Sequence, residues 1–497
     1  MRTSGILMPI FSLSSKHGIG TFGDKAYEFV DFLNKAGQTY WQILPIGVTS
    51  FGDSPYQSFS SYAGNPYFID LEYLQKDGLL EKKEIDELFW GENPDRIDYE
   101  ALYKNRYKIL HIAYGRFIEN IPDDFYSFEK ENGYWLCDYA LFSVIKDYNG
   151  GKPFSDWQKG LKYREQDALD TIKESLASEI LFYKVIQYFF FKQWFELKEY
   201  ANKKGVYIIG DIPIYVALDS ADVWSRPQQF LLDEKLAPKA VAGCPPDAFS
   251  TDGQLWGNPL YDWDYMKKDG YKWWIERIGF SAKLYDVVRI DHFRGFSAFF
   301  KIPYGQTTAK NGEWVKGPSK DLFKAINEKL GKLNIIAEDL GTIDDDVREL
   351  LSFTGYPGMK VLQFAFSPDS ESSYLPHNVI KNCVLYTGTH DNDTAVGFMN
   401  DGSENEVKFM REYLRISPDD SFNWALIKSA MATSADTVIL QMQDFLGLDN
   451  TARINTPSTL GENWKWRIAD GCVNDWLAKI IYNTTATYFR LPEKAVD

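Results

Sequence analysis

The sequence predicts an α/β fold in which short parallel strands alternate with helices. A closed (β/α)8 TIM barrel is preferred to an open doubly wound sheet. Seven segments are short and mostly apolar, as are strands that are buried on both faces of a parallel sheet. Helix-like stretches separate several of these segments, and the alternation extends over most of the 497 residues. The predicted strands are 40–44, 206–209, 287–290, 334–337, 360–364, 384–386 and 437–441.

Two stretches are too long to be simple crossovers between strands. Residues 72 to about 165 are rich in tyrosine and charge, and they are predicted to form a mostly helical insertion. Residues 217 to about 265 are rich in proline, glycine, aspartate and tryptophan. A long irregular segment inside a compact domain is usually functional. Because no Pro/Gly/Ser-rich linker separates independent units, residues 1–497 are predicted to form one barrel with these two insertions.

The charge balance argues against nucleic acid and anionic membranes as partners. The chain has 54 basic and 70 acidic residues, which give a formal net charge of −16. No cluster of lysine and arginine offsets this charge, so polyanions are repelled. An uncharged substrate fits the composition better.

The cysteines and the first residues indicate a cytoplasmic protein. The cysteines are scattered, with no C-x-x-C pair, at Cys137, Cys244, Cys383 and Cys472. This pattern is typical of thiols in a reducing compartment, not of a disulfide framework or a zinc site. The apolar run near the start is broken by Pro9 and makes a poor signal peptide. No apolar stretch approaches the ~20 residues of a membrane span.

Polar clusters that contain carboxylates follow four of the predicted strands. The carboxyl ends of barrel strands lie on one side of the fold, so these clusters are expected to meet there. Taken singly, each cluster is also explained by helix capping or by a surface loop. The clusters are Gly210-Asp211-Ile212-Pro213-Ile214-Tyr215, Val288-Arg289-Ile290-Asp291-His292-Phe293-Arg294, Ile336-Ala337-Glu338-Asp339-Leu340-Gly341 and Tyr386-Thr387-Gly388-Thr389-His390-Asp391-Asn392-Asp393.

Two of these carboxylates have different sequence surroundings. Arg289 lies two residues before Asp291, so in a strand their side chains share a face. A guanidinium in that place favours the ionised form of Asp291, as a nucleophile requires, although a structural ion pair is the alternative. The apolar residues before Glu338 are expected to raise its pKa, as a proton donor requires. Pattern alone does not choose between Glu338 and Asp339.

One ionised and one protonated carboxyl group are the tools of glycoside chemistry. In a retaining mechanism Asp291 attacks the anomeric carbon. Glu338 first protonates the departing oxygen and then deprotonates the incoming hydroxyl. Asp391 is a third carboxylate, expected to hold the sugar hydroxyls and to favour the distorted, oxocarbenium-like state.

Motifs along the whole chain resemble those of amylomaltases, or disproportionating enzymes. These are 4-α-glucanotransferases of glycoside hydrolase family 77 in the α-amylase clan. Besides the four clusters above, the similarity rests on Ser4-Gly5-Ile6-Leu7-Met8-Pro9, Gly18-Ile19-Gly20-Thr21-Phe22-Gly23, Ser54-Pro55-Tyr56-Gln57-Ser58, Gly64-Asn65-Pro66-Tyr67 and Asn463-Trp464-Lys465-Trp466-Arg467.

The resemblance implies a (β/α)8 barrel and a retaining double displacement. It implies Asp291 as nucleophile, Glu338 as acid/base and Asp391 as transition-state stabiliser. The implied substrates are maltooligosaccharides and α-1,4-glucans derived from starch or glycogen, with glucose as an acceptor. The family requires no cofactor, and nothing in the sequence indicates a metal site.

The resemblance also implies residues that bind the substrate. The candidates around the cleavage point are Tyr56, Asp211, Arg289, His292 and His390. Residues 243–259 resemble a mobile loop over the donor, from which Gln254 and Trp256 are expected to touch substrate. A buried core position is the alternative for Trp256.

The sequence is also compatible with two rival functions. An α-glucan hydrolase uses the same machinery but lets water attack the intermediate. A catalytically inactive carbohydrate-binding or structural protein is the rival of another class, and the intact Asp291, Glu338 and Asp391 argue against it.

Overall fold

Eight parallel strands form the central sheet of the protein. The computed structural model describes residues 2–50, 52–246, 251–341, 343–367, 371–417 and 421–493. These residues contain the strands of the central sheet and of a second, smaller sheet. They are β1 (Thr3–Leu7), β2 (Tyr40–Gln42), β3 (Tyr207–Ile212), β4 (Ala240–Cys244), β5 (Gln254–Pro259), β6 (Val287–Ile290), β7 (Ala298–Pro303), β8 (Glu313–Lys316), β9 (Ile335–Ala337), β10 (Gly358–Val361), β11 (Cys383–Tyr386) and β12 (Thr437–Gln441). The central sheet has the order β10-β11-β12-β1-β2-β3-β6-β9.

The sheet curls into a barrel whose two end strands, β9 and β10, meet at a seam. At this seam the Ala337 N–H donates to the Pro357 carbonyl at 3.0 Å. The Met359 N–H donates to Asp339 Oδ1 at 2.6 Å. The predicted (β/α)8 barrel is therefore confirmed.

Helices connect and cover the strands. Within the described ranges they are α1 (Asp24–Lys35), α2 (Leu71–Lys76), α3 (Lys82–Asp86), α4 (Tyr99–Phe117), α5 (Asp123–Tyr148), α6 (Lys159–Lys162), α7 (Gln166–Ser175), α8 (Ala177–Lys203), α9 (Ala221–Ser225), α10 (Trp263–Lys268), α11 (Lys272–Leu284), α12 (Ser319–Leu330), α13 (Asp345–Thr354), α14 (Ala395–Asp401), α15 (Glu404–Leu414), α16 (Phe422–Ala432), α17 (Met442–Leu446) and α18 (Asp475–Thr487). In the described part of the chain, no helix is both long enough and apolar enough to cross a membrane.

The seven strands predicted from the sequence all correspond to barrel strands. The predicted bounds match those of β6 and β12, and the other five are shifted. The segment predicted at 360–364 begins earlier, as β10 at Gly358, and ends at Val361. Its apolar run continues into a 3-10 turn at Leu362–Phe364, so apolar character alone extends the strand too far. Strand β1 was not predictable from the sequence, because most of its residues are small or polar although all are buried.

The two long stretches differ in structure. Residues 72–165 contain mainly helices, of which α4 and α5 are the longest. Residues 217–265 contain β4 and β5, which the sequence did not predict. These two strands join β7 and β8 in a separate antiparallel sheet of order β5-β4-β7-β8. That the whole chain forms one domain stays a prediction.

Helix α8 packs aromatic side chains against the barrel and the loop after β2. Phe190 and Trp194 are fully buried, and their rings lie 5.1 and 5.2 Å from that of Phe22. Burying a ring of this size stabilises the fold by ~1.5–3 kcal/mol. A Cβ on Gly64 would lie 2.1 Å from the Phe190 ring, so only glycine fits there. This contact holds the loop that carries Tyr56 against helix α8.

Candidate active site

The four carboxylates predicted from the sequence lie at the carboxyl end of the barrel. Asp211 is near the end of β3, where it is the register partner of Arg289 on β6. Asp291 follows β6 directly, and Glu338 follows β9 directly. Asp391 lies in the turn between β11 and α14. Because β3, β6 and β9 are neighbours in the sheet, the first three groups come from adjacent strands.

Arg289 lies between two carboxylates of very different exposure. One of its terminal nitrogens, Nη1, donates to Asp211 Oδ2 at 2.5 Å and to Asp291 Oδ1 at 3.1 Å. The side chains of Arg289 and Asp211 are 4% and 0% exposed, whereas that of Asp291 is 29% exposed. Arginine stays protonated in proteins, so Asp291 lies beside a permanent positive charge. Asp291 is thus a paired carboxylate that a substrate can still reach.

Tyr56 and His390 form a flat wall beside this ion pair. Their rings are stacked with centroids 5.0 Å apart and an interplanar angle of 16°. The Tyr56 hydroxyl donates to Asp211 Oδ2 at 2.8 Å. Asp211 Oδ1 is buried and has no hydrogen-bond partner among the described residues. The wall therefore offers an apolar face together with polar groups at its edge.

Glu338 is buried and lies between two backbone donors. Its Oε2 accepts from the His292 N–H at 2.6 Å, and its Oε1 accepts from the Leu340 N–H at 2.7 Å. Burial, with the added charge of Asp291, raises the pKa of Glu338 to about 8, although Arg289 and the two N–H donors act in the opposite direction. A carboxyl group with this pKa holds a proton at neutral pH.

Asp339, which the sequence could not distinguish from Glu338, has a different environment. Its carboxylate accepts from the Met359 N–H across the seam between β9 and β10. Gly358 lies against the same carboxylate, and a Cβ there would come within 2.6 Å of it. Asp339 is thus bound to the barrel wall, while Glu338 interacts with the charges of Asp291 and Arg289.

Asp391 is the most exposed of the four carboxylates, with 45% of its side chain accessible. Its Oδ2 lies 3.3 Å from His390 Nε2. Its Oδ1 accepts from Asn455 Nδ2 at 2.6 Å. Both oxygens therefore have neighbours that restrict their orientation.

His292 and Trp256 contact each other at the mouth of the site. Their rings meet edge to face, with centroids 4.9 Å apart. His292 has a φ of 52°, in the left-handed region that few residues other than glycine adopt. Burial, with a smaller effect of Arg294, lowers the pKa of His292 to about 4, so the ring is neutral at pH 7. Its Nε2 is buried without a hydrogen-bond partner in the described ranges.

The segment 243–259 differs from the irregular loop predicted for it. Gln254 and Trp256 lie on β5, which pairs in antiparallel fashion with β4. Trp256 is half-buried, and its Nε1–H donates to Gln254 Oε1 at 3.0 Å. Residues 247–250 of the segment lie outside the described residues. The two ends of the predicted loop are therefore paired strands, and more and less exposed residues alternate along the first part of β5.

Comparison with known proteins identifies the family. The sequence profile described as 4-alpha-glucanotransferase matches residues 8–473. The chain belongs to the 4-alpha-glucanotransferase family. It is 51% identical over 485 residues to a 4-alpha-glucanotransferase of Clostridium butyricum, covering 97% of this chain and 100% of that one. It is 47% identical over 500 residues to one of Streptococcus pneumoniae, covering 100% and 99% of the two chains.

A solved structure supports the same membership in the 4-alpha-glucanotransferase family. An amylomaltase from Streptococcus agalactiae in complex with acarbose is 43% identical, and the two structures superpose with a TM-score of 0.97. The match covers 99% of this chain and 100% of that one. The predicted family resemblance is confirmed.

Several residues around the site of this glucanotransferase were not predictable from the sequence. Asn455 and Arg453 contact the Asp391 turn, yet they lie in an irregular segment well past β12. No apolar run precedes them, so the pattern that predicted the other site residues does not indicate these two. Trp464 packs 6.0 Å from the rings of both Tyr56 and His390. It belongs to a motif that carried the family resemblance, but the sequence did not indicate its contacts.

The carboxylates of the glucanotransferase are not arranged as a metal site. Across the described ranges, no group of three or more His, Cys, Asp and Glu side chains is placed to hold a metal ion. The positive charge nearest to Asp211 and Asp291 is the Arg289 guanidinium.

Proposed function

We propose that this 4-alpha-glucanotransferase acts on α-1,4-glucans by a retaining double displacement, with Asp291 as nucleophile and Glu338 as acid/base. The proposal rests on the different environments of these two carboxyl groups. Asp291 is accessible and paired with Arg289, whereas Glu338 is buried and has a pKa of about 8. A carboxylate paired with a guanidinium and a buried, protonated carboxyl group match the two roles of a retaining mechanism.

In the first step, Asp291 attacks the anomeric carbon of the donor glucan. The bond from that carbon to the leaving oxygen breaks, and Glu338 gives its proton to that oxygen. The products are a glycosyl ester on Asp291 and a shortened glucan. In the second step, Glu338 takes the proton of an acceptor 4-hydroxyl, whose oxygen displaces Asp291. A new α-1,4 bond forms, and both carboxyl groups return to their starting states.

The remaining predicted residues are proposed to bind the glucose unit at the cleavage point. The Tyr56 ring, backed by His390, offers a flat apolar face of the kind that packs on sugars. The free oxygen of Asp211 and the neutral His292 ring are proposed to bind hydroxyl groups. Gln254 and Trp256 are proposed to touch the donor from β5.

The proposed donors are maltooligosaccharides and starch- or glycogen-derived glucans, and glucose is a proposed acceptor. These are uncharged molecules, consistent with a chain of formal net charge −16. We also propose that the enzyme acts in the cytoplasm, without nucleic acid or membrane partners.

Incubation with maltotriose tests transfer against hydrolysis. Glucose together with oligosaccharides longer than maltotriose is the expected result, measured by chromatography that resolves products by length. Only shorter products would instead identify a hydrolase. An unchanged substrate would identify a binding protein.

Asp391→Asn is expected to lower kcat by ~10²–10³ while changing KM much less. The reason is that a fixed carboxylate is most effective as positive charge develops on the sugar ring, and it contributes little before that. Initial rates over a range of maltotriose concentrations separate the two constants. A raised KM with normal kcat would reduce Asp391 to a substrate-binding residue.

Trp256→Ala is expected to increase hydrolysis relative to transfer. The hairpin of β4 and β5 reaches the site through Trp256, and its Asp252 forms an ion pair with Lys310 in the turn between β7 and β8. A cover over the glycosyl intermediate limits water and positions the acceptor. Water is present at about 55 M, so transfer prevails only because a bound hydroxyl has a high effective molarity, ~10⁵ M or more.

The readout for Trp256→Ala is the number of reducing ends gained per glucose released from maltotriose. This ratio is expected to rise severalfold, while the overall rate falls. Trp476→Ala removes an exposed ring on α18 and is the matched control. A slower Trp256 variant with an unchanged ratio would mean that the ring only binds the donor.

A further inference from the structure

The segment that contains Asn455 lies well past β12 in the sequence and is hydrogen-bonded to the turn that carries His390 and Asp391. We infer that Asn455 is a positioning residue, whose side-chain amide fixes the Asp391 carboxylate for transition-state stabilisation. This inference rests on the proposed function of Asp391. It adds a residue that lies far from the strand-end clusters.

Asn455 contacts the turn through both its backbone and its side chain. Its Nδ2 donates to Asp391 Oδ1 at 2.6 Å, and its backbone N–H donates to the His390 carbonyl at 3.1 Å. Two bonds from one residue to adjacent residues fix the direction as well as the distance of the amide. These two bonds align the Asn455 amide with the Asp391 carboxylate.

Arg453 holds Asn455 and the turn together. Its Nη2 donates to the Asp391 carbonyl at 2.5 Å, and its Nε donates to the Asn455 carbonyl at 2.8 Å. Its Nη1 forms an ion pair with Asp393 on the far side of the turn. The guanidinium thus bridges both segments, so movement of Asn455 relative to Asp391 would break several bonds at once.

The hydrogen bond from the Asn455 amide matters because Asp391 is otherwise the least enclosed carboxylate of the site. With 45% of its side chain accessible, Asp391 would lose its orientation easily without the amide. A donor on Oδ1 restricts rotation and leaves Oδ2 beside His390 at 3.3 Å. Stabilisation of developing charge depends on groups that are already oriented before the reaction. Asn455 provides this orientation without being required to touch the sugar.

The test compares Asn455→Ala, Asp391→Asn and the double variant with maltotriose as donor. Asn455→Ala is expected to lower kcat by ~10–100-fold with little change in KM, because a misplaced catalytic group loses rate rather than binding. The double variant is expected to be no slower than Asp391→Asn alone, because Asn455 acts through Asp391. Multiplied losses in the double variant, or a change in KM alone, would overturn the inference.

Two further variants separate hydrogen bonding from folding. Asn455→Asp keeps the size of the side chain but cannot donate from it, so its kcat should fall at least as far as that of Asn455→Ala. Asn382→Ala removes an amide at the opposite end of β11 and is expected to leave kcat within about twofold, as is usual for surface changes. Normal kcat in Asn455→Asp would refute a role for the donated bond, even if Asn455→Ala fails to fold.

The outcome for Asp391→Asn separates this inference from the proposed function. A normal kcat in Asp391→Asn would overturn the role proposed for Asp391 itself. A slow Asp391→Asn beside a normal Asn455→Ala would overturn only the inference about Asn455.

Discussion

Asp291→Asn is expected to reduce transfer from maltotriose by ~10⁴-fold or more, the largest effect among these predictions. Loss of a nucleophile removes the covalent route altogether, and comparable deletions cost ~10⁴–10⁶ in rate. The fold should survive, because the side chain is 29% exposed and the Asp291 N–H still donates to the Ile212 carbonyl at 3.0 Å. Initial rates and thermal melting measure the two effects separately.

A fluorinated glucosyl donor tests the assignment directly. Such a donor should leave a covalent adduct on Asp291 of the unmodified enzyme, located by mass mapping of peptides. Asp264→Asn, a change at an exposed carboxylate near the start of α10, is the control and should retain full activity. An adduct on any other residue would replace Asp291 as the nucleophile.

Glu338→Gln is expected to lower turnover of maltooligosaccharides by ~10²–10⁴, the usual contribution of general acid–base catalysis. The glutamine side chain has nearly the same shape but cannot give a proton to the leaving oxygen. A donor with a good leaving group needs little protonation, so its first step should be partly spared. Equal losses on both donors would argue against a proton-donor role.

The pH profile gives a second test of Glu338. Burial and the charge of Asp291 raise its pKa to about 8, so the proton that it must donate is present below pH 8 and is lost above it. We expect kcat/KM of the unmodified enzyme to fall about tenfold per pH unit above that point. In Glu338→Gln this basic limb should disappear from the residual activity. A limb that persists would belong to another group.

The barrel and its catalytic edge were predictable because the sequence shows them in a simple form. Apolar runs followed by polar clusters that contain carboxylates indicated β3, β6, β9 and β11, and the carboxyl ends of barrel strands share one side. The environments of Glu338 and Asp339 were not predictable, because both follow the same apolar run. Only the seam between β9 and β10 distinguishes them, and that seam depends on contacts between distant parts of the chain.

Other features were hidden because their local signals are weak. Strand β1 is rich in small and polar residues, yet pairing with β2 and β12 buries it completely. Strands β4 and β5 contain glycine or proline, so their region had the composition of a loop. Asn455 has no periodic pattern around it, and its role depends entirely on the folded position of Asp391.

The place of β1 between β12 and β2 has a consequence for biosynthesis. During translation β1 leaves the ribosome long before its neighbour β12, because Thr437, the register partner of Thr3, lies far later along the chain. One edge of β1 therefore has unpaired N–H and C=O groups until nearly all of the barrel has been made, and such edges are prone to aggregation. The barrel can therefore close only after β12 has been synthesised. If translation stalls before β12, the partly formed sheet keeps an open edge that chaperones would have to protect.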